Sequence, residues 1–311
     1  MHEHHAPGPH DGHSHGVSVD ADQRYLSIAL SLIIGFMLVE VAVAILSGSL
    51  ALLADAGHML TDVGAIAGSI WALRLAQRPA SKTMSFGLKR AEILAAAING
   101  VTLLVIGILV FFEAVRRLVT PSHVEGVPLV VVAIVGVGVN LLATWILAKA
   151  NRGSLNVEGA FQHILTDLYG FIGTAIAGII VITTGWHRAD PIASLLVVVL
   201  VLRTAWALLR ASGHVLLEGT PHTVDLDDVR QHICELPEVI GVHDLHAWTL
   251  TSELPTLSAH VVITDECLTD GSAARLLDHL QHCLANHFDV EHSTFQLEAA
   301  GHAEHEPGTH D

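Results

Sequence analysis

The chain has 311 residues and a mass of 33.1 kDa, with 51% apolar and 15% charged residues. A typical soluble domain has roughly 25% charged residues, so a single soluble globular domain is excluded. The formal net charge of −16 arises in the last third, because residues 1–212 contain 13 acidic and 13 basic side chains, whereas residues 213–311 contain 18 acidic and two basic ones. Such a surface repels nucleic acid and attracts cations, although a need for solubility would also account for it.

Six apolar runs are each long enough to cross a bilayer, which takes about 20 helical residues. They predict helices, because a spanning segment must satisfy its backbone hydrogen bonds internally and these runs are too long for barrel strands. The predicted spans are 25–46, 50–76, 91–115, 127–149, 157–184 and 189–210. Nine Lys and Arg residues flank the spans on one side and three on the other, so we expect both termini to be cytoplasmic.

The acidic last third has the pattern of a small α+β domain with the element order αββαβ. Its first helix begins near Asp225, a suitable N-cap residue, and ends before Pro237. The remaining predicted elements are strands at 239–250 and 256–264, a helix at 272–287 and a strand at 292–298.

These elements divide the chain into four segments. They are a His-rich disordered tail at 1–23, a six-helix transmembrane domain at 24–212, a cytoplasmic α+β domain at 213–299 and a disordered tail at 300–311. Six histidines among the first sixteen residues predict a tail that collects metal ions. Three cysteines without a CxxC motif indicate a reducing compartment, and the polar start predicts no signal peptide.

Histidine and aspartate recur at helical spacing in two spans, as His58-Met-Leu-Thr-Asp62 in the second and His163-Ile-Leu-Thr-Asp167 in the fifth. No other histidine lies inside a predicted span. Ionisable groups at membrane depth are costly and mark functional sites. Residues four apart share a helix face, so two facing motifs offer two imidazoles and two carboxylates, a ligand set for tetrahedral Zn²⁺. The alternative is a hydrogen-bonded His–Asp pair that only packs two helices together.

The depths of the two motifs do not match in the predicted spans. His58 falls near the outer end of its span, and His163 falls near the inner end of its own. A tilted helix, or a fifth span that starts before Val157, would bring the motifs to one depth.

At these residues the chain resembles the cation diffusion facilitator family, in its zinc-transporting branch of the bacterial cobalt–zinc–cadmium efflux type. The paired motifs match the family's transport site, and Ser85-Phe-Gly-Leu-Lys-Arg-Ala-Glu92 looks like its loop after the second helix. His243-Asp-Leu-His-Ala-Trp248 and Leu257-Ser-Ala-His260 look like its cytoplasmic domain. The resemblance covers 24–298 and implies a dimeric six-helix transporter with a metallochaperone-like domain. Such a transporter exchanges cytosolic Zn²⁺ for protons and often accepts Cd²⁺ or Co²⁺.

The same resemblance implies a regulatory zinc site in the cytoplasmic domain. Relatives bind zinc at the positions of His243, His260 and Glu298, and His292 lies near them in the sequence. Strand alternation places His246 on the opposite face, where we expect a structural role. The segment between the fourth and fifth spans is short and lacks histidine, which is similar to bacterial exporters and implies a bacterial inner membrane location.

The sequence therefore predicts an alternating-access zinc transporter and no enzyme. Its expected partners are Zn²⁺, protons, the lipid bilayer and a second copy of the chain, with no nucleic acid. One alternative is an intramembrane metalloenzyme, which would need an open metal position and a general base. The other is a membrane-anchored metal sensor, for which one or two spans would suffice.

Overall fold

The computed structural model contains a bundle of long helices followed by a smaller mixed α/β domain. It describes residues 19–47, 50–120, 126–150, 152, 154–252, 254–290, 292–302 and 305. The predicted metal-collecting histidines at the start of the chain lie outside these residues, as does His310 near its end.

In the described part of the chain, six long helices form the bundle, and each of them corresponds to one predicted span. They are α1 (Val19–Ser47), α2 (Leu50–Ala76), α3 (Ala91–Val119), α4 (Gly126–Leu147), α5 (Leu155–Thr184) and α6 (Ala189–Leu216). Among the described residues, α1 and α3 to α6 are long and apolar enough to cross a membrane. The first nine residues of α2 have side chains that are not described, but its backbone continues the bundle between α1 and α3.

Helix α5 is the centre of the bundle, because it contacts all five other helices. The most extensive pairs are α3 with α6, α4 with α5 and α1 with α2. One apolar core joins four helices, and the fully buried Leu26, Ile66, Leu147 and Ile164 each come from a different one of them. The packing therefore brings α2 against α5, the two helices that carry the His-x-x-x-Asp motifs.

Glycine lets α5 approach its neighbours closely. A Cβ atom on Gly136 of α4 would lie 2.5 Å from the ring of Phe171 on α5. A Cβ atom on Gly159 of α5 would lie 3.1 Å from Leu208 of α6. Small residues at helix crossings are the usual means of close packing in a membrane, where no hydrophobic force draws helices together.

The smaller domain follows the predicted order with one addition. Its elements are α7 (Leu226–Cys234), β1 (Val239–Thr249), β2 (Pro255–Ile263), α8 (Asp265–Thr269), α9 (Ala273–His287) and β3 (His292–Ala299). The side chain of Asp225 accepts a hydrogen bond from the Asp227 amide at 2.9 Å, which confirms the predicted N-cap. The addition is α8, which is too short to show a helical period in the sequence. Pro255 is the first residue of β2 rather than part of the turn before it, a position that tolerates proline.

The three strands form one sheet in the order β1-β2-β3, with β1 antiparallel and β3 parallel to β2. The helices cover one face of the sheet. The core on that face contains Ile233 of α7, Leu257 and Val261 of β2, and Leu280 and Leu284 of α9. Since residues alternate along β2, His260 points to the face away from the helices.

Hydrogen bonds join the two domains at the first turns of α3 and α5. The buried carboxylate of Glu92 accepts hydrogen bonds from Ser154 and, at 3.3 Å, from Ser252 in the turn between β1 and β2. The Ser252 hydroxyl in turn accepts a hydrogen bond from the Leu155 amide at 2.9 Å. The turn of the small domain is therefore attached to the helix that carries His163.

Candidate metal centres

Three of the four predicted intramembrane residues meet between α2 and α5. The Nε2 atom of His163 lies 2.7 Å from Asp62 Oδ1 and 3.8 Å from Asp167 Oδ2. One ligand atom from each residue lies within 4.8 Å of the others. A tetrahedral zinc ion with bonds of about 2.0–2.2 Å holds its N and O ligands about 3.4 Å apart, between the two distances found. The side chain of His58, the fourth predicted ligand, lies outside the described residues, one turn before Asp62 on α2.

The helix boundaries remove the expected difference in depth. Helix α5 begins at Leu155, before the predicted start, and Ser154 caps it by accepting a hydrogen bond from the Val157 amide. His163 therefore lies more than two turns into α5, while Asp62 lies near the middle of α2. The two motifs reach one level of the bundle.

The three residues line a cavity of about 250 Å³ inside the bundle, and every helix of the bundle contributes to its wall. Most of the lining is apolar, including Phe171, with a few polar groups such as Asn140. A low-dielectric wall strengthens the interaction of carboxylates with a cation. Two carboxylates carry the charge needed to compensate a divalent ion, and a neutral imidazole adds a nitrogen ligand. The arrangement is suited to hold one divalent metal ion between α2 and α5.

A second group lies on the face of the sheet away from the helices. His243 of β1 and His260 of β2 are direct cross-strand partners, with ring centroids 5.1 Å apart. A hydrogen bond joins His243 Nε2 to Oε1 of the buried Glu298 on β3. Ligand atoms of the three residues lie within 4.8 Å of one another. Two imidazoles and one carboxylate fit a zinc ion, so the structure brings together the three residues that the resemblance implied.

Residues 26–217 match the cation efflux transmembrane domain, and residues 221–300 match the cation efflux protein cytoplasmic domain. The chain belongs to the cation diffusion facilitator family. The group between α2 and α5 lies in the transmembrane region of this cation efflux protein, at residues 26–217. The group on the sheet lies in the cytoplasmic region, at residues 221–300.

Several relatives match nearly the whole cation efflux protein. The zinc transporter ZitB of Escherichia coli is 44% identical, over 92% of this chain and 91% of its own. A cadmium, cobalt and zinc/H(+)-K(+) antiporter of Bacillus velezensis is 39% identical, over 94% and 93%. Among solved structures, the metal-bound C-terminal domain of the CzcD transporter from Cupriavidus metallidurans is 40% identical, covers 24% of this chain and 99% of its own, and has a TM-score of 0.22.

Family membership decides between the broad classes of function. Cation efflux proteins are transporters, so the prediction of a metal transporter rather than an enzyme is confirmed. Together with the long apolar helices, the match to the transmembrane domain makes this chain a multi-pass membrane protein. The metalloenzyme and anchored-sensor alternatives are not favoured.

A β-bulge in β1 shows that the predicted position of His246 is wrong. His243 pairs with His260 and His246 pairs with Ser258, so three steps along β1 match two steps along β2. Asp244 lies within the bulge and has a φ of +51°, in the left-handed region. The extra residue turns His246 to the same face as His243, where its Nε2 lies 3.0 Å from Asp244 Oδ1.

Two residues near the sheet group were missed in the sequence. Asp244 Oδ2 lies 3.9 Å from His260 Nε2, and His302 Nε2 lies 3.6 Å from Glu298 Oε2. Asp244 stands next to a predicted ligand, but strand alternation would point it away, and only the bulge brings it near. His302 follows Glu298 by four residues in a segment that the sequence predicted to be disordered.

The structure does not bring His292 to the sheet group. His292 begins β3 and pairs with Thr256, whereas Glu298 lies six residues further along the strand, about 20 Å away. Its exposed ring instead lies against Phe86, with centroids 5.8 Å apart. His292 is near Glu298 in the sequence, but the length of the extended strand separates their side chains.

Proposed function

We propose that the protein exports Zn²⁺ from the cytoplasm in exchange for protons, by alternating access, through a transport site formed by His58, Asp62, His163 and Asp167. One observation carries the proposal. A buried imidazole nitrogen, Nε2 of His163, faces two carboxylates inside the helical membrane domain of a cation efflux protein.

Nitrogen and carboxylate ligands at these separations support Zn²⁺ as the cargo. The names of relatives at about 40% identity agree, since they include a zinc transporter and an antiporter of cadmium, cobalt and zinc. We therefore expect Cd²⁺ and Co²⁺ to be accepted as well. These ions take the same ligand types, so geometry alone discriminates weakly among them.

Exchange with protons follows from the position of one hydrogen bond. His163 Nε2 and Asp62 Oδ1 are 2.7 Å apart, and two such atoms approach this closely only with a proton between them. A metal ion ligated by both atoms must occupy the same place. Metal and proton therefore exclude each other at this position, and a doubly protonated imidazole at His163 must give up a proton before its Nε2 can bind the metal. Histidine is suited to this exchange, because imidazole gains and loses protons in the physiological pH range.

The division of the site between two helices supports alternating access. His163 and Asp167 belong to α5, whereas Asp62 belongs to α2. The full ligand set exists only while these helices lie together, so a relative movement of α2 and α5 weakens metal binding. Since α5 contacts every other helix of the bundle, its movement changes the packing on all sides of the cavity.

Zinc at the sheet group is part of the proposal as a regulatory ligand. His243, His260 and Glu298 provide three ligands, and Ser252 links this domain to the first turns of α3 and α5. We propose that zinc binding here favours the inward-open state and the association of two protomers. The family name of the matched cytoplasmic domain refers to a dimer, which supports a homodimer.

The remaining parts of the proposal concern location and segments. We propose an inner-membrane protein with both termini in the cytoplasm, supported by the excess of Lys and Arg on that side. Residues 24–212 form the transport domain and residues 213–299 the regulatory domain. The His-rich residues 1–23 gather metal ions for the site.

Zinc flux into proteoliposomes tests the transport site. Liposomes with an acidic lumen and a trapped zinc-sensitive dye receive external Zn²⁺, and the initial rate of dye response is measured. We expect wild-type protein to import zinc and Asp167→Asn to fall to the rate of protein-free liposomes. Glu158→Gln is the matched control, because it removes a carboxylate from the same helix that pairs with Arg152 instead of the metal group. Equal rates in wild type and Asp167→Asn would contradict the proposal.

A further inference from the structure

Within the part of the chain that the structure describes, a third group of metal-ligating side chains lies where α7 and α9 end. His232 belongs to the last turn of α7, and Cys283 and His287 lie one turn apart at the end of α9. Nε2 of His232 and Nδ1 of His287 are 2.9 Å apart. One ligand atom from each of the three residues lies within 4.8 Å of the others.

We propose that His232, Cys283 and His287 form a zinc site distinct from the transport site and from the sheet group. Two imidazoles and a thiolate are ligands that zinc prefers, and a tetrahedral ion would complete its shell with water. Bonds of about 2.0–2.1 Å to nitrogen and about 2.3 Å to sulfur set the ligand atoms about 3.3–3.6 Å apart. The two nitrogen atoms, now 2.9 Å apart, would have to separate by less than about 1 Å. The sulfur atom, within 4.8 Å of both, would have to approach them by about 1 Å at most, and rotation of the side chains can provide such movements.

The place of the site in the fold gives it a structural consequence. Helices α7 and α9 both pack on the same face of the sheet, through Ile233 of α7 and Leu284 of α9 among others. His232 and His287 are 55 residues apart in the sequence, and the site joins the ends of the two helices. A metal ion here ties α7 to α9 and stabilises their arrangement on the sheet, because binding only to the folded domain stabilises it.

The site differs in chemistry from the other two groups, which contain no sulfur ligand. Cobalt(II) bound by a thiolate gives a sulfur-to-metal charge-transfer band in the near ultraviolet, and cobalt bound by imidazoles and carboxylates does not. When the metal-free full-length protein is titrated with Co²⁺, the band therefore reports thiolate ligation, which neither of the other two groups can provide. The measurement does not depend on transport, so a transport-inactive protein would still give the band if this site exists.

We expect the band in wild type, its loss in Cys283→Ser and its retention in Cys234→Ser, which removes an exposed thiol outside the group. His287→Gln changes an exposed residue and should weaken cobalt binding at least about 10-fold, since even indirect ligand partners contribute that much. The proposal is overturned if wild type shows no band, if the band persists in Cys283→Ser, or if His287→Gln binds cobalt as tightly as wild type.

Alkylation gives an independent readout. Iodoacetamide labelling of the full-length protein, followed by peptide mass spectrometry, reports each cysteine separately. We expect Zn²⁺ to slow labelling of Cys283 and to leave Cys234 unchanged. Equal protection of both thiols, or of neither, would overturn the site.

Discussion

Replacing Gly136 of α4 by alanine should destabilise the bundle beside the proposed transport site. The added Cβ would lie 2.5–2.7 Å from three atoms of the Phe171 ring, about 1 Å short of the ~3.5 Å at which carbon atoms pack best. Phe171 follows Asp167 by one turn on α5 and lines the same cavity. The ring must therefore move, or α4 and α5 must separate. Overpacking of this kind costs about 1–3 kcal/mol.

Gly138→Ala is the matched control on the same helix, because a Cβ there meets no atom within 4 Å. Alanine raises helix propensity equally at both positions, by up to about 1 kcal/mol, so the difference between the variants isolates the steric cost. Thermal unfolding of both variants in one detergent, followed by tryptophan fluorescence, measures it. We expect Gly136→Ala to have a Tm several degrees below that of Gly138→Ala, with slower zinc flux. Equal Tm values would show that the two helices are not packed as described.

Three further predictions concern the cytoplasmic domain. Ser252→Ala removes the hydrogen bonds with the Leu155 amide and Glu92, which should weaken the interaction between the two domains by about 1–3 kcal/mol. We expect faster hydrogen exchange at the Leu155 amide, and unchanged exchange would argue against this link. Glu298→Gln should lower the zinc content of the purified protein by one ion per chain, while zinc flux persists. An unaltered zinc content would show that Glu298 is not a ligand of bound zinc. Burial raises the pKa of the Cys283 thiol. In zinc-free protein, the increase of its alkylation rate with pH should therefore occur at a higher pH than for a free cysteine. The same pH dependence as a free cysteine would contradict the burial of this thiol.

The group between α2 and α5 could be predicted because ionisable residues are conspicuous in apolar, membrane-spanning segments. His163, Asp62 and Asp167 are ionisable groups in apolar runs, and the spacing of four residues fixes which of them share a helix face. The meeting of α2 with α5 could not be derived from spacing. It depends on which helices pack together and on glycine contacts such as that of Gly136 with Phe171.

The residues of the sheet group were implied by the family resemblance, and the structure pairs His243 with His260 across β1 and β2. Strand alternation, which was used for His246, failed there, because a bulge with Asp244 in the left-handed region changes which face each residue occupies. His292 was grouped with these residues because it is near Glu298 in the sequence, but six residues of extended strand separate the two.

The third metal group shows a different limit. Cys283 and His287 are four residues apart on a helix, a pattern visible in the sequence. Their partner His232 lies about 50 residues earlier, and only the packing of α7 and α9 on one face of the sheet brings it close. Sequence patterns identify ligands on one element, whereas a site between elements requires the tertiary fold.

The claim that zinc and a proton compete for the place between His163 Nε2 and Asp62 Oδ1 is tested most directly by recording both ions in one experiment. Proteoliposomes with trapped zinc-sensitive and pH-sensitive dyes, and with an acidic lumen, receive external Zn²⁺. We expect the lumen to become more alkaline as zinc enters, in a fixed ratio of the two ions, and Asp62→Asn to abolish both signals together. Zinc entry with no change in lumenal pH would contradict proton exchange at this site.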